Sequence, residues 1–244
     1  MGYARHVSNL AWQPLSAQIR AAAVDAGFDL VVSFGVAHYN AAAPERERLA
    51  DFGQPNALGI LFGNTRQLWP AFTSAFAVDP EVSAAAQPLD TYVASRLRGI
   101  LAGATNLPHE LTFSHVTQPR AFPIQRLAER VGLAALSPSH LLVHPLHGPW
   151  LALRAVAVVD VAGPTDPPSP PERPCQNCSA PCVPALEHAV AVSGAPLTSA
   201  AVVANAQAWI AVRDACPVGQ GARYGPNQLA YHYGTARARP LPDA

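Results

Sequence analysis

The sequence predicts an α+β sandwich, not a doubly wound parallel sheet, with a small cysteine-rich segment after it. Three observations carry this reading. Helix-like and strand-like stretches interleave through the first part of the chain, but two of the strands follow one another across a turn, as in a hairpin, which sets them antiparallel. The composition then changes at "AGPTDPPSPPERP", residues 162–174, where six prolines preclude helix or central strand and leave an extended linker. Beyond it fall all four cysteines of the chain. The expected organisation is an α+β domain over residues 1–161, a linker over 162–174, and a mostly helical segment over 175–244 that packs on the first domain.

The elements follow in order. "LSAQIRAAAVDAGF" has helical spacing and stops at Gly27, a C-cap residue. "FDLVVSFGVAHYN", β-branched and aromatic, reads as a strand through Asn40, and "NALGILFGN" as a short apolar one. "TRQLWPAFTSAFAVD" reads as a helix kinked at Pro70. "LDTYVASRLRGILAG" places Tyr92, Val93, Leu97, Ile100 and Leu101 on one helical face. "HELTFSHV" alternates as a half-buried strand with Leu111, Phe113 and His115 on one side, and "FPIQRLAERVGLAAL" is the best amphipathic helix. "HLLVHP" and "WLALRAVAVVDV" form two strands joined by the turn "LHGP". "SAAVVANAQAWIAVRDA" is helical.

Composition excludes several classes of function. Charged residues are 13 % and the formal net charge is zero, all cations being arginine, so no nucleic-acid footprint is expected. No run approaches the roughly 18 apolar residues of a membrane span. "MGYARHVSNLAWQPL" shows no signal-peptide pattern, so the expected compartment is the cytoplasm, where structural disulfides are rare.

The cysteines therefore point to other chemistry. Cys175, Cys178 and Cys182 lie within eight positions, and Cys216 stands apart, followed at once by Pro217. Structural zinc sites pair their ligands as two knuckles, whereas three local thiolates plus a remote Cys-Pro resemble ferredoxin-type [4Fe–4S] segments, here with CxxCxxxC replacing CxxCxxC. A [4Fe–4S] cluster, zinc, and ordinary buried or redox-active thiols all stay open, the cluster leading. His140, His144 and His147 have suggestive spacing, but strand alternation and the turn between them argue against convergence on a metal. Trp69 and Trp150 read as core aromatics, and no paired carboxylates, Ser-His-Asp order or phosphate loop stands out.

Three motifs in this order resemble the CblC-type cobalamin-processing proteins, the family of cyanocobalamin reductases and alkylcobalamin dealkylases. They are "GFDLVVSFGVAHYN", the hairpin His144, Pro145, Gly148, Trp150, Arg154, and "RDACPVGQGARYGPNQLAYHY". The resemblance implies a modified flavin-reductase (nitroreductase)-like fold with a cavity for base-off cobalamin. Carried over, the contacts fall on Ser114, His115, Phe122, Pro123, Ile124, Gln125, Leu136, Ser137, Leu142 and Leu153, many of them through backbone atoms. Arg154 and Arg213 match arginines that bind glutathione in the family, and Arg239 or Arg237 matches a third. The cysteines depart from the animal members and put glutathione dependence in doubt; "CQNCSAPCVPAL" is similar instead to the iron–sulfur part of epoxyqueuosine reductases. The expectation is a cobalamin reductase that removes the upper axial ligand with electrons from a [4Fe–4S] cluster. Its rivals are a B12 chaperone with structural zinc and an FMN-dependent reductase of the same fold. An external electron donor and a homodimer stay open.

Overall fold

The computed structural model describes residues 11–118, 121–234 and 239–243. Its strands are β1 (Leu30–Gly35), β2 (Ala57–Asn64), β3 (His109–Phe113), β4 (Ala135–Leu136), β5 (Leu142–Val143) and β6 (Ala152–Ala162). Four of them form the main sheet in the order β1-β2-β6-β3, every neighbouring pair antiparallel, and β4 pairs with β5 in a small second sheet. The helices are α1 (Trp12–Asp25), α2 (Val36–Asn40), α3 (Leu68–Val78), α4 (Pro80–Ser83), α5 (Pro88–Ala104), α6 (Ile124–Arg130), α7 (Cys182–Ser193), α8 (Ser199–Ala204), α9 (Ala206–Asp214) and α10 (Pro226–Tyr233).

β2 is buried along its whole length, because both faces of the sheet are covered and its near-continuous apolar run serves two cores. On one face Leu58, Ile60 and Phe62, with Ala155, Ala157 and Val159 of β6, meet Ile19 of α1, Phe72 of α3 and Leu97 of α5. On the other, Leu61, Val156 and Val158 meet Tyr39 of α2, Leu127 of α6 and Leu142 of β5. Fully burying one such leucine is worth about 1.5–3 kcal/mol, so the sheet anchors the fold. A third cluster joins Trp150, just before β6, to Ile210, Tyr224 and Leu229 of the C-terminal part. Tyr231 of α10 also packs its ring on Trp69 and Phe72.

Several sequence expectations are corrected. β1 ends at Gly35, and "VAHYN" turns into α2, whose start is tied by the Ala37 N–H donating to Asn56 Oδ1 at 2.9 Å. Pro70 does not kink α3, since it falls in the first turn, where its missing N–H has no intrahelical role. α6 stops at Arg130, because Gly132 takes φ 80° and the Leu133 N–H closes back on the Ala128 carbonyl, which frees Ala135–Leu136 to be a strand. "HLLVHP" and "WLALRAVAVVDV" are not paired with each other: β5 pairs with β4 and β6 lies in the main sheet, leaving only the His144–Gly148 bridge across the turn. The helix over 199–215 is broken at Asn205 into α8 and α9. His115 lies beyond the end of β3.

Residues 163–174 form neither helix nor strand. The Pro164 carbonyl accepts from Asn56 and the Thr165 carbonyl lies 3.0 Å from His38 Nε2, so the segment is tied down beside α2. Among the described residues no helix is long and apolar enough to cross a membrane.

Candidate metal and cofactor site

All four cysteines are free, and all four line one cavity. Cys175 and Cys178 sit on the turn before α7, where the Cys178 N–H donates to the Cys175 carbonyl (3.3 Å) and the Ala180 N–H to Cys178 Sγ (3.4 Å). Cys182 is the first residue of α7. Cys216 follows α9, its N–H donating to the Arg213 carbonyl at 3.1 Å, and Pro217 bars further helix. α7 and α9 pack together, and Trp209 Nε1 donates to Ser193 Oγ at 3.0 Å across them, so the 33 intervening residues fold back to bring the fourth thiol to the other three.

The remaining walls are apolar, with Leu141, Val143, Pro149 and Val212, except for Ser137 and Ser139. Burial first, and then the neighbouring cysteines, raise the Cys175 thiol above its ordinary pKa. Burial also raises Cys216, against a bond from the Val218 backbone that pulls the other way. Thiols so held are neutral at physiological pH, and a positive metal is what draws their protons off. Among the described residues no three His, Cys, Asp or Glu side chains stand close enough to hold a single ion. A single zinc gathers its sulfurs at about 2.3 Å each, whereas a cluster interposes its own irons and sulfides and needs a wider ring. Four thiols round one cavity are a donor set that either group accepts.

The loop that carries Cys216 is pinned by two glycines. Gly148 (φ 57°) and Gly219 (φ 71°) pass backbone against backbone: a methyl on Gly148 would overlap the Val218 carbonyl, and one on Gly219 would overlap the His147 carbonyl group. The opposite wall is the β4–β5 turn. His140 N–H donates to the Ser137 carbonyl (3.0 Å) with Pro138 and Ser139 between them, and His140 takes φ 61°. A turn of this form places Ser137 Oγ and Ser139 Oγ 3.0 Å apart, both residues buried.

Sheet register gathers other expected residues. Phe113 pairs with Ala155, so the end of β3 lies beside the start of β6. Ser114 donates its N–H to the Arg154 carbonyl (2.9 Å) and its hydroxyl to the Leu153 carbonyl (2.8 Å). β2 skips Arg154, pairing Phe62 with Ala155 and Gly63 with Leu153, and this bulge shifts the alternation, so that Leu153 packs on the face of Val156 and Val158 rather than on that of Ala155. Leu153 joins Phe122, Ile124 and Leu142 in the second core, with Pro123 and the exposed Gln125 at the start of α6. Leu136 is exposed, and Ser137 belongs to the cysteine cavity. His115 is half-buried with Nδ1 3.7 Å from Asp90 Oδ1.

Arg154 and Arg213 occupy the other face. Arg154 is half-buried, its Nε donating to Asn64 Oδ1 at 2.6 Å. Arg213 donates to the Tyr233 hydroxyl (2.8 Å) and the Pro149 carbonyl. Both act on His232, whose pKa falls to about 3 through burial first and then these two charges. Among the described residues neither arginine forms a salt bridge. Arg239 borders a separate groove with Phe76 and Tyr231, and Arg237 lies outside the described residues. His144 and His147 stack at 4.7 Å, with His144 Nδ1 accepting the Leu146 N–H at 3.1 Å, while His140 stands at the β4–β5 turn.

Sequence reasoning passed over Asn64, Ser139, Tyr224 and His232. The signal for Asn64 was a polar residue ending an otherwise apolar buried strand; Ser139 was marked by the Ser-Pro-Ser turn. Tyr224 and His232 carry no local signal, because only the return of the chain after α9, through Tyr224 and into α10, brings them to the arginines.

No family model and no curated relative matches this sequence. Solved structures do. The B12-trafficking protein CblC of C. elegans superposes with a TM-score of 0.61 at 16 % identity, over 93 % of this chain and 94 % of that one. Epoxyqueuosine reductase from Bacillus subtilis follows with a TM-score of 0.51 at 12 % identity, over 87 % of this chain and 67 % of that one. A further epoxyqueuosine reductase, solved with a modified tRNA stem loop, gives 0.52 at 11 % identity, over 96 % and 70 %. The chain therefore has the CblC fold, a nitroreductase-like antiparallel sheet flanked by helices, shared in part with epoxyqueuosine reductase.

Proposed function

We propose that this chain is a cytoplasmic cobalamin-processing reductase that removes the upper axial ligand, with a [4Fe–4S] cluster held by Cys175, Cys178, Cys182 and Cys216. When bound, the cluster would supply single electrons and the cobalamin the cobalt centre that accepts them, replenished by an external donor. The observation that carries the reading is the shared wall: the four cysteines line one cavity, and Ser137 of that cavity belongs to the segment carried over as a corrin contact.

The chain's own residues have definable parts in this. The apolar walls Leu141, Val143, Pro149 and Val212 keep water from the sulfurs. Of the residues carried over, Ile124 and Leu142 are buried in the second core, and the half-buried Phe122 and Leu153 above them would give a large planar ligand an apolar floor. Large exposed apolar side chains on the adjoining segments, Val116, Leu136 and Leu146, suit a surface covered by such a ligand. Arg154 and Arg213, half-buried and without a carboxylate partner among the described residues, would take an anionic cosubstrate, the place the resemblance gives to glutathione.

The test is metal and acid-labile sulfide analysis of the full chain purified without oxygen, followed by titration with cyanocobalamin. Iron with equimolar sulfide, a shift of the corrin spectrum to the base-off form, and loss of iron but not of corrin binding in Cys178→Ser are expected. Zinc without sulfide would overturn the cluster and leave a binding protein with structural zinc. Retained FMN with no corrin shift would overturn the cobalamin reading.

A further inference from the structure

We infer that Ser137 and Ser139 form a hydrogen-bond donor to the sulfurs of the cysteine-held cluster and set its reduction potential. The inference rests on the cluster reading above and goes beyond it, because the resemblance uses Ser137 only as a corrin contact and never invokes Ser139.

The argument is a count of protons. The two hydroxyls lie 3.0 Å apart and carry two O–H donors, of which their mutual bond uses one. Neither hydroxyl has another hydrogen-bond partner among the described residues. The residues are 7 % and 4 % exposed, so water does not serve the second donor freely. Both line the cysteine cavity, whose other walls are apolar side chains and the four sulfurs. A buried O–H without an acceptor is costly, and the side-chain acceptors of the other lining residues of that cavity are the cysteine sulfurs. A neutral thiol accepts weakly; a metal-bound thiolate or sulfide accepts well, and better still when the cluster is reduced and carries more negative charge.

The turn makes the donor a fixed one. Pro138 presets its backbone angle, and the His140 N–H to Ser137 carbonyl bond closes the loop, so the two serines are held at the wall of the cavity they share with the cysteines. A preorganised donor that binds the reduced state more strongly raises the potential. The serines are positioning residues: the electron comes to the cluster from the reductant, no covalent bond forms or breaks, and no proton is transferred.

The experiment is a dithionite titration with mediators, under argon, of the cluster-loaded full chain, following the visible bleaching. Wild type, Ser139→Ala, Ser139→Thr and the Ser137→Ala/Ser139→Ala double variant are compared at equal iron and sulfide content. The double variant is expected to shift the oxidised-to-reduced ratio about tenfold toward oxidised, ~59 mV lower for one electron. Ser139→Ala should give a smaller shift of the same sign, and Ser139→Thr, which keeps the hydroxyl, a potential near wild type. An unchanged potential in the double variant, or in Ser139→Ala where the double variant fails to fold, overturns the inference and leaves the cluster reading standing. Wild-type protein that takes up neither iron nor sulfide overturns the cluster reading itself.

Discussion

At the residue scale, His232 shows how a charge-poor chain uses its few ions. Burial, then Arg154 and Arg213, hold its pKa near 3, against about 6.5 for an exposed imidazole. His144 falls to about 4, through burial first and then His147. In both cases the unfolded chain binds a proton that the folded chain refuses. Stability from these groups is therefore complete above about pH 6.5 and declines as the pH falls toward the folded values, each contributing a slope of up to about 1.4 kcal/mol per pH unit. Replacing His232 by Gln should remove one such slope while leaving that of His144. Urea midpoints at about pH 4.5, 5.5 and 7 measure it; an unchanged pH dependence would contradict the burial of His232 in the folded protein.

At the element scale, the site depends on how loops are held rather than on long helices. The crossing of Gly148 and Gly219 brings the loop after α9 against the His144–Gly148 turn, with backbone where any side chain would sit. Ala at either position must therefore push the two loops apart, on top of the positive φ each requires. Gly219→Ala is expected to cost about 2 kcal/mol or more, by analogy with other overpacked, strained positions, and to lower iron content by displacing Cys216. Thermal melting and iron analysis test both; full iron content in Gly219→Ala would mean that Cys216 is placed by α9 alone. Much of this was legible in part: both glycines lie in motifs that drew notice, but nothing in their spacing says that they touch. The β4–β5 pairing was not legible, because two-residue strands have no periodicity to read, and α6 looked longer than it is because Gly132 ends it inside an apolar pattern.

At the scale of the whole molecule, the sheet and the cysteine region are built on different supports. β2 and β6 are buried between two apolar cores, whereas Cys175–Cys182 rests on short turns between the linker and α7. Removing the metal of the proposed cluster should then loosen one and spare the other. After chelation under anaerobic conditions, amide exchange is expected to rise over residues 175–182 and 206–219 and to stay slow in β2 and β6. Exchange rising equally through the sheet would show that the two regions unfold together. The third cluster, Trp150 with Ile210, Tyr224 and Leu229, is the contact that would couple them in that case.

By itself the sequence determined the fold class, the buried runs of β2 and β6, the amphipathic helices and the grouping of cysteines, because each is written in local periodicity or in residue type. Only the tertiary structure decided which strands pair, that a bulge puts Leu153 on the face of Val156 rather than that of Ala155, and that Cys216 reaches the other three thiols. These depend on contacts between residues distant in the chain, and on two glycines whose missing side chains leave room for one another's backbone, which no local pattern records.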